Sequence, residues 1–309
     1  MITITDLATR ASPAAAAPYI AALGDFDGVH LGHRAVLDAT REGAWSRGIK
    51  SAAWFFNESP KDAAAQLFDT EQKEREIASL NIDYTVREDF SAVCDLTPEE
   101  FVGEYLPSIG CRGVVCGFNF RFGRGASGDA DMLSALCLEH GLYFASVPPV
   151  TVRGNVVSSS AIRSRLSEGD AEGAAEMLGR PYSVLSAVEH GRAVGRSFGF
   201  PTVNQNFAPR RVIPRCGVYI TETIVDGERH GSVSNVGTRP TVGGHALRLE
   251  THIFDFDGDL YGREPEVRFI RFIRPEMTFE SEEALCRAIS DDVAAAEKYF
   301  AERESEERG

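Results

Sequence analysis

The sequence predicts two unlike domains: a parallel, doubly wound α/β domain, then an antiparallel β-barrel that closes with a helix. Three observations carry this. In the first half, short apolar runs alternate with stretches of helical period. After SSSAIRSRLSEGDAEGAAEMLG the pattern changes to a series of short strands. Within that series, Asp226-Gly227 and Asp257-Gly258 are turn dipeptides set between apolar runs, a hairpin signal.

The first half reads in order as strands at Tyr19–Leu23, Ser51–Phe56, Ile82–Val86, Gly113–Cys116 and Tyr143–Val147. Helical patterns fall between them at Arg34–Arg47, Glu71–Leu80, Pro98–Ile109 and Ala130–His140. Strands spaced by helices form a parallel sheet, and such sheets bind ligands beyond the carboxyl ends of their strands. The turn from Gly24 to His33 leaves the first strand at that edge. Further on, Ser160 is placed to cap a short helix, with Gly169 and Gly179 as stops for that helix and the next. The boundary falls near residues 170–180, giving domains 1–175 and 180–309. The second is built from YSVLSAVEH, GVYITETIVDGERHGSVSNV, LRLETHIFDFDGDLYG and EVRFIRFI, and a helix near Ser281–Arg303 shows Leu285, Ile289 and Ala296 on one face.

A chain of 309 residues, 43% hydrophobic and 25% charged, has apolar material for two cores and the balance of a soluble protein. It contains no apolar run of transmembrane length. Its first residues, MITITDLATRASPAAAAPYI, lack a basic segment ahead of an apolar one, so a cytoplasmic protein without a signal peptide is expected. A formal net charge of -14 argues against a nucleic-acid partner, whose phosphates need a basic face. Nucleotides need only a few placed donors. The six cysteines form no C-x-x-C pair and read as reduced thiols.

Chemistry concentrates in GDFDGVHLGH. A strand, a glycine turn and a helix start make an anion site, because free N–H groups and the helix dipole both favour phosphate. Gly24, Gly28 and Gly32 let a polyphosphate approach the backbone, and His30 and His33 can donate to oxygens whose charge grows during transfer at phosphorus. The plain alternative is a helix start with two solvated histidines. In the second half, Gly191, Gly195 and Gly199 surround Arg192 and Arg196, a flexible basic loop suited to phosphates. Strand alternation then puts Thr202 and Asn204 on one face, where a hydroxyl and an amide oxygen can share Mg²⁺. Edge or turn positions are the alternative for both.

Three other patterns invite misreading. GRGASG (Gly123–Gly128) satisfies G-x-G-x-x-G but follows a polar loop, and reads as a mobile loop rather than a dinucleotide fingerprint. DFDGDLYGREPE has EF-hand-like acid spacing, yet Leu260 sits where glycine is needed and strands flank it, so a hairpin turn is expected. The acidic tail AERESEERG reads as a solvated helix end.

H-x-G-H after a first strand resembles the nucleotidylyltransferase superfamily. With CGFNFRFGRGASGD and VSSSAIRSRL, the decapeptide resembles the prokaryotic bifunctional riboflavin kinase/FMN adenylyltransferase (FAD synthetase) family. GFPTVN with its glycine loop, CGVYITE, SNVGTRPTVGG, LETHIFDFDGDLYG and IRPEMTF are similar to that family's kinase half. The resemblance covers roughly residues 18–300, in the family's order. It implies a Rossmann-like nucleotidylyltransferase domain and a six-stranded antiparallel barrel of riboflavin kinase type. It implies substrates riboflavin, FMN and ATP with Mg²⁺, and neither nucleic acid nor membrane as partner.

On that resemblance, Gly24, Asp25, Phe26, Gly32 and Asn119 line the first nucleotide site. His30 and His33 stabilise the transferred phosphorus, and Ser159, Ser160 and Arg163 hold the departing phosphates. In the second half Gly191, Arg192, Gly195, Arg196, Pro201, Thr202 and Asn204 bind ATP, the last two through Mg²⁺. Glu250 is the base for the riboflavin 5′-hydroxyl, and Arg180, Tyr182 and Arg274 bind flavin. No G-x-x-x-x-G-K-[ST] occurs, so this kinase lies outside the P-loop class. One departure stands out: where the family has T-F-x-P/E-H-P, this chain has FFNESP, with Asn57 and Ser59 near the histidine's place. It keeps open a monofunctional riboflavin kinase with a weak N-terminal domain. A non-catalytic flavin-binding regulator is a further alternative, against which intact Glu250, Thr202 and Asn204 speak.

Overall fold

The computed structural model describes residues 2–5, 17–57, 65–190, 199–241 and 244–308. The chain divides into two compact units, Met1–Ser159 and Ser160–Gly309.

The first unit is a six-stranded, all-parallel sheet. Its strands are β1 (Ile2–Thr5), β2 (Tyr19–Leu23), β3 (Lys50–Phe56), β4 (Tyr84–Glu88), β5 (Cys111–Gly117) and β8 (Tyr143–Val147). Between β5 and β8 lies the short pair β6 (Arg121–Phe122) and β7 (Gly128–Asp129), and after β8 comes a second short antiparallel pair, β9 (Thr151–Val152) and β10 (Asn155–Val156). Spatial order is β1-β4-β3-β2-β5-β8. The chain therefore runs outward from β2 through β3 to β4, then returns to the other side of β2 with β5. That reversal makes the carboxyl edge between β2 and β5 the switch point, where doubly wound sheets hold their ligands. β2 is buried at all five positions, as a central strand covered on both faces must be.

Helices α1 (Leu31–Trp45), α2 (Thr70–Ser79), α3 (98–108) and α4 (Ala130–Glu139) connect the strands. α3 starts with a complete capping box, Thr97 with Glu100, and contains a π turn over Phe101–Tyr105. Phe101, Val102 and Leu106 enter the core formed with Trp54, Val114, Leu133 and neighbours.

Two differences from the sequence expectation have local causes. β4 begins at Tyr84 rather than Ile82, because Asn81 turns at φ +58° and the Asp83 carboxylate accepts from both Ser51 N (3.0 Å) and Ser51 Oγ (2.9 Å). β1 was not foreseen; its four residues pair in parallel with Tyr84–Arg87.

The second unit opens with α5 (Ser159–Glu168) and α6 (Ala171–Leu178). α5 takes in Ser159, so Ser160 lies in its first turn rather than at its cap. Gly169 and Gly179, at φ +88° and +75°, do end the two helices. An antiparallel sheet follows, in order β11 (Tyr182–Leu185), β17 (Glu266–Arg274), β14 (Gly217–Val225), β15 (Glu228–Thr241), β16 (Gly244–Ile253), β13 (Val203–Asn206), β12 (Val188–Glu189). The two outer strands, β11 and β12, are only two residues apart in the chain, so the sheet curls round on itself. This gives seven strands where six were expected: the first breaks at Ser186-Ala187 and pairs with both edges. Gln205 Nε2 bridges the break, donating to Ser186 O (2.6 Å) and Pro265 O (3.0 Å).

Inside the curl, Thr221, Thr223, Ser232, Ser234 and Thr251 join in 2.8 Å hydroxyl contacts and are fully buried. On the outer face, Val218, Ile220, Val233 and Ile270 pack with Ala296 of the terminal helix α7 (Glu282–Arg308). Asp226-Gly227 turns β14 into β15 with both residues at positive φ, a type I′ geometry. Asp257-Gly258 does not make the expected hairpin turn. β16 and β17 are not neighbours, and 254–265 is a crossing loop anchored by buried Leu260 against Val188, Val225 and Ile253. GRGASG, expected to be mobile, is tied down: Arg124 N donates to Leu96 O (2.7 Å) and Arg124 Nε to Asp95 O (2.8 Å) while β6 pairs with β7. No described helix is long and apolar enough to cross a membrane.

Candidate functional sites

In the first unit the turn after β2 is held at several points. Gly24 N donates to Trp54 O (3.3 Å) and Val29 N to Phe26 O (3.0 Å). Phe26, Gly28 and Val29 all have positive φ (+54°, +80°, +40°). For a β-branched valine this conformation is strained, and such strain persists only where surroundings impose it. Here buried Asp27 does so: its carboxylate accepts Leu67 N (2.8 Å) and Phe68 N (3.1 Å), and its carbonyl accepts Ser159 Oγ (3.0 Å). The sequence marks Asp27 only as a turn residue, and its bracing role depends on a segment 40 positions away.

His30 is the N-cap of α1, and its Nδ1 accepts the His33 N–H at 3.2 Å. A nitrogen that accepts a hydrogen bond carries no proton, so the neutral ring keeps its proton on Nε2. His33 stacks on His30 at 3.6 Å between centroids, and Phe26 meets His33 edge-on at 5.3 Å. Gly32 makes this possible, since a Cβ there would lie 3.1 Å from His30 Cε1 and 3.2 Å from Nδ1. No acidic residue occupies the first turn of α1, leaving the positive end of the helix dipole unneutralised.

The structure thus gathers Gly24, Phe26, His30, Gly32, His33 and Ser159 around one turn at the switch point. Asp25 lies beside them, 3.8 Å from Lys73 Nζ. Asn119 is exposed just beyond β5, at the carboxyl end of the strand next to β2. Ser160 and Arg163 follow Ser159 on α5, within the second unit. Asn57 sits beyond β3, where its Nδ2 donates to Asp89 Oδ1 (2.7 Å); the rest of FFNESP, from 58 on, lies outside the described residues.

In the second unit, strand register assembles the site. Asn204 on β13 stands directly opposite Glu250 on β16, and Glu250 directly opposite Asn235 on β15. All three share the outer face. Thr202 immediately precedes β13, and the segment is pinned where His252 Nδ1 donates to Pro201 O at 2.8 Å. Asn204 is 5% exposed and its Oδ1 is buried without a hydrogen-bond partner among the described residues. An unpaired buried acceptor costs stability, and its natural complement is a cation. Together with the Thr202 hydroxyl it offers hard oxygen ligands of the kind Mg²⁺ takes. Asn235, which the sequence reading passed over, differs from the others in no local pattern; only the register reveals it.

Gly191, Arg192, Gly195 and Arg196 lie outside the described residues. Of the three residues expected at flavin, Arg180 is half-buried and donates to Leu178 O (3.1 Å). Arg274 forms a forked pair with Asp292 of α7 (3.0 and 2.7 Å) and lies over the Phe279 ring. Tyr182 is fully buried, with its hydroxyl donating to Val212 O (2.6 Å) and accepting from Arg211 Nε (3.0 Å). Any part it takes in binding therefore runs through what it supports.

Comparison with known proteins covers both units. A family model described as FAD synthetase matches residues 12–161, and one described as riboflavin kinase matches residues 178–300. A bifunctional riboflavin kinase/FMN adenylyltransferase of Listeria monocytogenes is 33% identical over 92% of this chain and 93% of its own. Proteins of the same description from Pseudomonas fluorescens and Escherichia coli K12 are 36% and 34% identical, each over 90% of this chain and 91% of their own. A crystal structure from Streptococcus pneumoniae, described as a macrolide-efflux protein, matches with TM-score 0.86 at 27% identity, over 96% of this chain and 99% of that one.

Proposed function

The chain belongs to the bifunctional riboflavin kinase/FMN adenylyltransferase family, and on that premise we propose how its two units divide the work. The protein phosphorylates riboflavin to FMN with ATP, then adenylylates FMN to FAD with release of pyrophosphate. Residues 180–309 carry the first reaction and residues 1–175 the second.

In the kinase step, Glu250 takes the proton of the riboflavin 5′-hydroxyl. That oxygen bonds the γ-phosphorus of ATP, the bond from the γ-phosphorus to its bridging oxygen breaks, and ADP leaves. Thr202 and Asn204 would hold Mg²⁺, which would neutralise charge on the nucleotide phosphates. The unpartnered Asn204 Oδ1 fits that role. Gly191, Arg192, Gly195, Arg196 and Pro201 bind the ATP phosphates. Arg180 and Arg274, backed by Tyr182, serve the flavin.

In the adenylyl step, an FMN phosphate oxygen bonds the α-phosphorus of ATP and the bond to the β-phosphate oxygen breaks. His30 donates from Nε2 to the α-phosphate oxygens as their charge grows, and His33 assists from the stacked position. Ser159, Ser160 and Arg163 receive the departing pyrophosphate, while Gly24, Asp25, Phe26, Gly32 and Asn119 seat the nucleotide. Six free thiols accord with a cytoplasmic site of action.

The observation that carries the bifunctional reading is the His30–Gly32–His33 turn, with its cap, stack and glycine all in place despite the Asn57 departure. Relatives similar across both units favour it over a monofunctional kinase. The test is flavin product analysis with ATP and Mg²⁺, started separately from riboflavin and from FMN. FAD from both starting materials is expected; FMN alone from riboflavin, with FMN left unchanged, would reject it.

A further inference from the structure

The adenylyl reaction joins two anions, which repel each other as they approach bonding distance. The donors already assigned serve one of them. His30, His33 and the turn after β2 face ATP, and Ser159, Ser160 and Arg163 receive the departing pyrophosphate. The attacking FMN phosphate needs a cation of its own.

Lys73, the fourth residue of α2, is buried beside that turn. Its side chain is 8% exposed, with Nζ 3.8 Å from the Asp25 carboxylate and 4.9 Å over the centre of the Phe55 ring. At 3.8 Å the pair with Asp25 is an electrostatic contact without a hydrogen bond. An ammonium carries three N–H donors, and among the described residues none accepts from Lys73 Nζ. Burying a charge whose donors are unused is costly. A phosphate, with its charge and several acceptor oxygens, is the natural complement. The neighbouring cation differs in this respect: Arg34 donates to Val29 O (3.3 Å) and to Glu76 (3.1 Å).

Position in the sheet decides which phosphate Lys73 serves. Phe55 belongs to β3, and its ring meets Phe26 edge-on at 6.4 Å, as Phe26 in turn meets His33 at 5.3 Å. Lys73 therefore borders the turn from the β3 side of β2, whereas the switch point that seats the nucleotide lies on the β5 side. A cation on the β3 side faces the second reactant. In the sequence Lys73 stands within the polar stretch TEQKERE, where a solvated lysine is the plain reading. Only its burial against Phe55 and Asp25 sets it apart.

We propose that Lys73 binds the FMN phosphate in the adenylyl reaction, with Asp25 and Phe55 holding its ammonium in place until that phosphate arrives. The proposal rests on the first unit adenylylating FMN. It gives this unit a substrate-binding cation on the second helix as well as donors on the first.

The experiment is the steady-state kinetics of FAD formation from supplied FMN, with ATP and Mg²⁺, by the full-length protein and by its Lys73→Met, Lys73→Gln and Lys73→Arg variants. Methionine keeps an unbranched stem against Phe55 and removes the charge; glutamine is a second neutral variant, should the thioether disturb folding. Both neutral variants are expected to raise KM for FMN about tenfold with KM for ATP within about twofold, and Lys73→Arg to keep both within about threefold. An unshifted KM for ATP shows that the first unit is folded. A KM for FMN within about twofold of the parent in the neutral variants, or a KM for ATP raised as far as that for FMN, overturns the role of Lys73. A parent protein that converts no FMN to FAD overturns the adenylyl reading itself.

Discussion

Adding one methyl group to Gly32 should separate stability from catalysis at the proposed adenylyl site. In Gly32→Ala the new Cβ would lie 3.1 Å from His30 Cε1 and 3.2 Å from Nδ1, closer than carbon packs at its optimum. The imidazole must shift by a few tenths of an ångström or more, which lengthens a cap bond already at 3.2 Å and disturbs the 3.6 Å stack with His33. Losing an N-cap costs about 1 kcal/mol. Replacing a helical glycine by alanine returns about 0.5–1 kcal/mol. The two nearly cancel, so thermal unfolding should move by no more than about 2 °C. Catalysis has no such offset: a misaimed donor at a transferring phosphorus costs about a hundredfold. FAD formation from supplied FMN, followed by chromatography, should fall by about that factor while riboflavin phosphorylation stays within about twofold. Adenylylation within threefold of the parent, or equal loss of both activities, would refute the reasoning.

Glu250→Ala should abolish FMN formation yet spare FAD formation from supplied FMN; parallel loss of both would refute two separate sites. The double variant His30→Ala/His33→Ala should do the reverse, and an unchanged adenylylation rate would remove the histidines from the mechanism. Asn204→Leu replaces an unpartnered buried acceptor by an apolar group of similar shape, so unfolding by urea should show stability equal or higher by about 1 kcal/mol, with phosphorylation lost. Reduced stability would mean that Oδ1 has a partner in solution. Burial pushes the thiols of Cys111 and Cys116 up to about 11 and that of Cys137 up to about 12. The folded protein then holds these protons more tightly than the unfolded chain, so their contribution is intact below about pH 8.5 and is lost as pH rises through 11. Urea midpoints should fall above about pH 9, and a flat profile to pH 11 would contradict it.

What the sequence made legible was local. The Gly24–His33 turn could be read because every part of it lies within ten residues: strand, glycines, cap and helix. β2 and β8 fall where their apolar runs predict, since each, one central and one at the sheet's edge, is written as a contiguous run. β1 escaped notice because four residues ahead of an alanine patch carry too little period. Asp257-Gly258 shows the limit of turn chemistry, which marks a reversal of the chain but not which strands pair across it. The alignment of Glu250 with Asn204 and Asn235 was illegible for the same reason. Register between strands far apart in the chain is a tertiary property, and it alone distinguishes Asn235 from any other polar strand residue. Tyr182 is the converse case: alternation places it on a face but does not say that this face is the closed interior of the curl.

The two sites differ in the sign of what they offer, and this follows from the elements that build them. A helix start presents N–H groups, a dipole and imidazole N–H, all donors, so the first unit can take up a triphosphate's charge with its own backbone. A strand face has its N–H and C=O groups spent on neighbouring strands, so only side chains are left to act. On the second unit's face Arg248 is paired with Glu189 and His252 is tied to Pro201 O, which leaves amide groups, a hydroxyl and the Glu250 carboxylate to act. Such a surface repels phosphate unless a cation intervenes, and it is the natural place for a base. The reaction that must remove a proton from a neutral hydroxyl therefore belongs on the strand face. The reaction whose nucleophile is already a phosphate anion belongs at the helix start.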